Sequence, residues 1–215
     1  MVAVVLAAGE GRRFGGTKQL ARLGGRPLVA HVVAAARDGG ADEVVLVVGH
    51  DARRVAQAAS EEHPIHVVTT PQVAAGQAAS LLAGIAAATD LDAGVVVVLL
   101  ADQPEVGADT VRAVTAAVRA GAPVARVRYD DGSGHPVAFA RRVLPRLADL
   151  RGDRGARELL AGLGVVEVAR RRPAPADLDT RSAWRAAVRR WEAGGPRPAQ
   201  RSPSCREQEG QARHP

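Results

Sequence analysis

Cysteine is almost missing from this 215-residue chain: the only one, Cys205, lies in a polar C-terminal stretch. That excludes an intrachain disulfide and a thiolate metal site. None of the six histidines is spaced H-x-x-x-H or H-E-x-x-H, so any metal is expected to be a hard cation held by carboxylates and phosphates. Aromatic residues are 2% of the chain, too few for the stacking platforms of a single-strand binder. Long apolar runs are absent too. The longest, Gly94–Ala101 (GVVVVLLA), falls far short of the roughly 20 residues a membrane span takes. No basic-then-apolar leader opens the sequence, so a cytoplasmic location without a membrane partner is expected. Lysine is as scarce as cysteine: of 29 basic residues only Lys18 is a lysine. The net charge of +6 is spread along the chain, which argues against a nucleic-acid partner.

What is present is a supply of Ala, Val and Leu, with 47% hydrophobic residues, enough for the core of one domain. The first eighteen residues organise the rest. Val2–Leu6 is a short, β-branched, buried-strand pattern. It runs into Ala7-Ala8-Gly9-Glu10-Gly11-Arg12-Arg13-Phe14-Gly15-Gly16-Thr17-Lys18, a glycine-rich cationic turn that reads as a phosphate cradle. Ala7 and Ala8 leave room for a flat base beside the strand end. The dinucleotide fingerprint G-x-G-x-x-G does not fit the spacing of Gly9, Gly11 and Gly15, with two arginines between, and Asp38 falls in a predicted helix. A P-loop wants Lys before Ser or Thr, and here Thr17 precedes Lys18. The pattern L-A-A-G-x-G-x-R-x-G-x-x-K fits throughout and resembles nucleotidyltransferases that activate a phosphorylated metabolite with an NTP.

Beyond the loop, strands are predicted at Glu43–Val48, Ile65–Thr69, Val95–Leu100, Val124–Tyr129, His135–Ala140 and Val165–Val168. Helices are predicted from Arg26-Pro27 to Arg37, from Asp51 as N-cap to Ala59, and over Gln77–Ala88, Ala108–Arg119 and Val143–Leu150. Two more follow, one opened by Asp153 and one ending near Trp191. The alternation predicts an α/β fold: one doubly wound, mostly parallel sheet with a small hairpin insertion over residues 124–140. The domain is expected over residues 1–192, with a disordered Arg/Pro/Gly-rich tail over 193–215.

Asp102 follows the most apolar strand, where open α/β sheets bind ligands; it is the first choice for a metal ligand, a cap being the plainer alternative. Ser80 lies in a first helical turn, where it is equally a phosphate contact or a solvated serine. His135 either touches an acceptor or merely turns the hairpin.

Four motifs carry a family resemblance: Leu6–Leu20 (LAAGEGRRFGGTKQL), Leu99–Pro104 (LLADQP), Gly134–Phe139 (GHPVAF) with Gly152–Arg157 (GDRGAR), and Asp177–Thr180 (DLDT). With them the chain resembles the MobA-like NTP transferase family, with its nucleotide-diphospho-sugar transferase-like fold, and most of all the molybdenum cofactor cytidylyltransferase branch. It departs where the family often has Arg-Gly-His-Pro (here Ser133-Gly134-His135-Pro136) and Pro-Glu-Asp after D-x-D-T (here Arg-Ser-Ala). The resemblance implies transfer of CMP from CTP to a phosphorylated acceptor such as molybdopterin, with release of pyrophosphate. Alanine at position 8 goes with CTP in this family, and glycine there with GTP. Nucleotide contacts are implied at Leu6, Ala7, Ala8, Gly9, Glu10, Gly11, Arg13, Lys18, Ser80, Ala101 and Asp102. Arg13, Lys18 and Asp102 would act in catalysis, Asp102 and Asp179 would hold Mg²⁺, and His135 would meet the acceptor. Other readings are a guanylyltransferase for molybdenum cofactor or a phospholactate-type acceptor, and a non-catalytic chaperone inserting cofactor into a molybdenum hydroxylase apo-enzyme.

Overall fold

The structure, a computed structural model, describes residues 1–70, 77–147 and 162–194. Seven strands form one sheet: β1 (Val2–Ala7), β4 (Glu43–Val48), β5 (His66–Thr69), β6 (Val95–Leu100), β7 (Val124–Tyr129), β8 (Gly132–Ala140) and β9 (Val165–Ala169). Their order is β5-β4-β1-β6-β8-β7-β9. β8 alone runs antiparallel to its neighbours, so β1, β4, β5, β6, β7 and β9 all end at one edge of the sheet. β1 and β6 pair in register near the middle, as their unbroken Val and Leu runs require of strands covered on both faces.

The strand period of two splits these residues between two cores. Ala3, Val5 and Ala7 face one, together with Val29, Val32 and Val33 of helix α1 (Leu28–Asp38), Val55 of α2 (Ala52–Ser60) and Val111 and Val114 of α4 (Ala108–Arg119). Val2 and Val4 face the other, with Ile85 and Ala88 of α3 (Gln77–Asp90) and Leu144 and Leu147 of the short α5 (Leu144–Leu147). Helices on both faces make the sheet doubly wound. A third cluster seats the last helix, α6 (Arg181–Glu192): Ala187 packs with Leu23, Leu28 and Leu178, flanked by Trp184, Val188 and Trp191.

α3 lies so close to the sheet that a Cβ on Gly84 would stand 2.4 Å from Val4 Cγ1 and 2.9 Å from Val47 Cγ2. Gly84→Val is therefore expected to cost about 1–3 kcal/mol by overpacking, read as a lower urea midpoint at unchanged slope.

Several expectations need correction. Arg26–Pro27 does not open α1. It forms strand β3, which pairs with β2 (Arg22–Leu23) across Gly24 and Gly25, and the helix starts at Leu28. Asp51 occupies the N-cap position of α2, its carbonyl accepting from Val55 N (3.1 Å), but its carboxylate makes no cap hydrogen bond; it accepts from Thr17 Oγ1 (3.1 Å) and Arg54 Nη1 (2.8 Å) instead. The 124–140 hairpin is present with both strands inside the main sheet, and β8 begins at Gly132 rather than His135. Its ladder passes from Val137 directly to Gly134, so His135 and Pro136 bulge out of the pairing. The Thr70–Gly76 loop beyond Thr70, the helix expected after Asp153, the GDRGAR motif and the tail from residue 195 lie outside the described residues.

His31 was not singled out by sequence. It is buried in α1, its Nε2 donates to the Leu23 carbonyl (2.8 Å), and Trp191 packs edge-on against its ring at 5.3 Å. Burial holds its pKa below the ordinary 6.5. The unfolded chain therefore takes up this proton first, so the contribution to stability is full above pH 6.5 and is lost as pH falls below it. Thermal midpoints measured from pH 7.5 to 5 are expected to fall, and His31→Gln, which keeps a donor for Leu23, is expected to flatten that slope.

Candidate active site

β1 delivers the glycine loop to the carboxyl edge of the sheet. The loop curls around Gly11, whose carbonyl accepts from the N–H groups of Phe14 (2.9 Å), Gly15 (2.9 Å) and Gly16 (3.3 Å). Gly11 has φ 65°, and a Cβ there would sit 2.0 Å from the Gly16 carbonyl oxygen, so only glycine closes this turn. From below, buried Gln19 donates through Nε2 to the carbonyls of Ala7 and Gly9, both at 2.7 Å. Among the described residues, the N–H groups of Gly9, Glu10 and Gly11 donate to no protein acceptor and remain available to a ligand anion. Gln19 was missed by sequence reasoning. The available signal was a polar residue one position past Lys18, at the end of the glycine motif.

The loop then places Lys18. Its ammonium donates to Asp102 Oδ2 and to Asp179 Oδ1, each at 2.5 Å, and Arg13 Nη2 donates to Asp179 Oδ2 at 2.5 Å. Lys18 and Asp102 are largely enclosed, with side chains 13% and 15% exposed, while Arg13, though paired with Asp179, is 76% exposed. Burial alone would lower the Lys18 pKa, but attraction and hydrogen bonding from Asp102 and Asp179 outweigh it and raise it. The Lys18 hydrogen bond, helped by the charges of Lys18 and Arg13, holds the Asp179 carboxyl below its usual value. Lys18 thus stays charged beyond pH 10.5, and Asp179 stays ionised to below pH 3.8.

Two strand ends and one distant segment build this cluster. Ala101 N donates to Leu6 O (3.1 Å), tying the end of β6 to β1. Leu178 N donates to Asp102 O (3.1 Å) while its side chain is buried. This docking turns Asp177 toward Gln103 Nε2 (2.8 Å) and Asp179 toward Lys18. Thr180 then caps α6, accepting from Ala183 N at 3.1 Å. The DLDT stretch is therefore one carboxylate for Gln103, one buried anchor, one carboxylate for the cluster and one helix cap. The cap and the Gln103 contact were not read from sequence.

The remaining expected residues fall around this edge. Ala7, Ala8 and Ala101 are buried small residues at the strand ends, and Leu6 is partly buried. Glu10 pairs with Arg12, away from Lys18. Ser80 is buried one turn ahead of Gly84, on the part of α3 nearer the carboxyl edge, with no contact to the Lys18 cluster. His135, displaced by the bulge, faces the charges of Asp177 and Asp102. Burial lowers its pKa against their pull, leaving a neutral imidazole at pH 7.

The donor set suits a hard divalent cation. Asp102 and Asp179 each bind one nitrogen at 2.5 Å, so their oxygens lie within about 5 Å of each other. One or two carboxylates completed by substrate phosphates is the usual magnesium arrangement. Among the described residues no group of three or more His, Cys, Asp or Glu could hold a metal without such completion. No helix among them is long and apolar enough to cross a membrane.

Residues 3–171 match the model of the MobA-like NTP transferase domain. This chain belongs to the MobA-like NTP transferase family. Its relatives in the family fold include Rv0371c of Mycobacterium tuberculosis H37Rv, whose crystal structure superimposes with a TM-score of 0.78 at 34% identity over 87% of this chain and 96% of that one. A complex of Rv0371c with manganese matches with a TM-score of 0.73 at 32% identity, over 87% and 97%. The nicotine blue oxidoreductase of Paenarthrobacter nicotinovorans is 34% identical over 166 residues, 73% of this chain and 79% of that protein. The bifunctional protein GlmU of Clavibacter sepedonicus is 36% identical over 137 residues, 61% of this chain but 28% of that protein. The chain thus spans well under half the length of such GlmU relatives. The MobA-like match ends before Asp179, so the second carboxylate of the cluster lies outside the matched core.

Proposed function

We propose that this MobA-like chain transfers CMP from CTP to a phosphorylated acceptor of the molybdopterin type and releases pyrophosphate. The observation that carries this reading is the convergence of Lys18, Arg13, Asp102 and Asp179 beneath a loop with unpaired N–H groups. Cations and carboxylates meeting at one edge suit a nucleoside triphosphate and its counter-ion.

An acceptor phosphate oxygen attacks the α-phosphorus of CTP; that P–O bond forms as the bond to the β-phosphate oxygen breaks. The nucleophile is already ionised, so no general base is required, in keeping with a site that offers charge and alignment. The loop N–H groups of Gly9–Gly11 receive the phosphates, and Ala7 and Ala8 admit the base. Lys18 turns from its carboxylates to the α-phosphate as charge builds there, and Arg13 turns from Asp179 to the β,γ-phosphates. Ser80 adds a hydroxyl from α3. His135, neutral and beside Asp102, donates to the acceptor. Mg²⁺ held by Asp102 and Asp179 would neutralise phosphate oxygens and stabilise the departing pyrophosphate. The manganese complex of Rv0371c supports a divalent ion in this fold. The product would pass to a molybdenum hydroxylase apo-enzyme.

The test is pyrophosphate release from CTP, GTP, ATP and UTP with molybdopterin-type and sugar-phosphate acceptors. The expected result is Mg²⁺-dependent release with CTP and a molybdopterin acceptor. Faster release with GTP would make the chain a guanylyltransferase, and cofactor binding without release would make it a chaperone. The likeness to nicotine blue oxidoreductase adds a control: reduced nicotinamide consumed with no pyrophosphate formed would overturn the transferase reading.

A further inference from the structure

The glycine loop has a second face. There lies an open cavity of about 360 Å³ lined by Phe14, Gly16, Thr17, the 20–22 segment, Arg54, Arg181 and Trp184, with Lys18 not among its lining residues. Its size falls within the usual range for small-molecule sites. Three arginines, Arg22, Arg54 and Arg181, are among its lining residues, and no acidic residue is. Asp51 is not a lining residue; its carboxylate pairs with Arg54 (2.8 Å) and accepts from Thr17 Oγ1 (3.1 Å). Among the described residues, Arg22 and Arg181 have no carboxylate partner; Arg22 donates to the Gly25 carbonyl.

The floor is aromatic. Phe14 and Trp184 meet edge to face with centroids 6.2 Å apart, and the Arg181 guanidinium lies 5.4 Å over the Phe14 ring. Trp184 is held by its indole N–H, which donates to Arg22 O at 2.9 Å. In an aromatic-poor chain, one of two phenylalanines and one of two tryptophans are spent on this wall. Excess positive charge in forked guanidinium form selects phosphate over a simple halide, and ring walls favour a ligand with a flat body.

We propose that this cavity is a second anion site, separate from the Lys18 cluster, that takes a phosphorylated small molecule bearing an unsaturated or aromatic body. The two sites share backbone: Arg13 and Asp179 face the cluster, while their near neighbours Phe14 and Arg181 face the cavity.

The test uses the full chain with EDTA and no nucleotide, following the indole N–H resonance of Trp184, assigned through Trp184→Phe, during titration with phenyl phosphate or inorganic phosphate. A saturable shift is expected, with phenyl phosphate binding at least threefold more tightly than phosphate. Arg54→Ser/Arg181→Ser is expected to weaken it at least tenfold, and Asp102→Asn to change it less than twofold. Both arginines are exposed, so the double variant is expected to keep the wild-type melting temperature; Arg54→Ser alone, expected to weaken binding at least threefold, gives the same answer if it does not. Sodium chloride reproducing the shift, or the arginine variants retaining it, would overturn the site. Equal affinity for both phosphates would overturn the ring-bearing ligand. Because neither metal nor nucleotide is present, failure of pyrophosphate release leaves this outcome untouched, and the reverse holds.

Discussion

Asp102→Asn is expected to lower pyrophosphate release by about 10²–10³-fold, the usual loss when one preorganised electrostatic group is removed from a transition-state clamp. The residue sits on the loop after β6 and binds Lys18, not the core, and its backbone carbonyl still accepts from Leu178 N in the variant. Asparagine keeps the shape and removes the charge. Lys18 retains Asp179, so no buried cation is stranded, and the stability cost is expected to stay near about 1.5–3 kcal/mol, that of one charged hydrogen bond. Initial rates, with circular dichroism and melting curves on the same samples, separate lost chemistry from lost fold. Near-normal turnover would take Asp102 out of the mechanism.

The second large effect concerns the ammonium. In the free protein Lys18 occupies the space between two carboxylates that a divalent cation would take. Lys18→Met is expected to cost turnover about 10²–10³-fold and, in the opposite direction, to raise affinity for Mn²⁺ in the absence of nucleotide by about 10–100-fold. The reasoning is electrostatic: without its counter-charge, Asp179 loses the hydrogen bond that depresses its pKa, and the two carboxylates repel. Above pH 3.8 the variant is expected to be less stable than the wild type and to regain stability on adding millimolar Mn²⁺, whereas the wild type gains little. Mn²⁺ electron paramagnetic resonance and melting curves read both. If Lys18→Met binds Mn²⁺ no more tightly, these carboxylates are not where the ion sits.

What could be read from sequence was what periodicity and motif spacing encode. The all-apolar run ending in Asp102 announced a central strand with a charge at its mouth, and β6 is the middle strand of seven. The loop announced its cations, and Lys18 and Asp102 do meet. Other features depend on partners far along the chain. Gln19 looks like any loop glutamine until the fold sets the Ala7 and Gly9 carbonyls above it. Asp51 has the composition of a cap, but Thr17 and Arg54 compete for its carboxylate and win. Pro27 fits a first helical turn locally, yet the Gly24–Gly25 turn draws it into a hairpin against α6. His135 was undecidable because a two-residue bulge, invisible in the alternation pattern, sets where its ring lies.

Lys18 and Asp179 are 161 positions apart, and the second of them reaches the cluster only when Leu178 seats on the carbonyl of Asp102. During translation the loop and β6 emerge first, so a nascent chain holds half a clamp while most of the sheet can already form. If this cluster is where ligand binds, capture would be a late event of synthesis, and substrate itself would act as a final stitch, favouring finished copies over truncated ones.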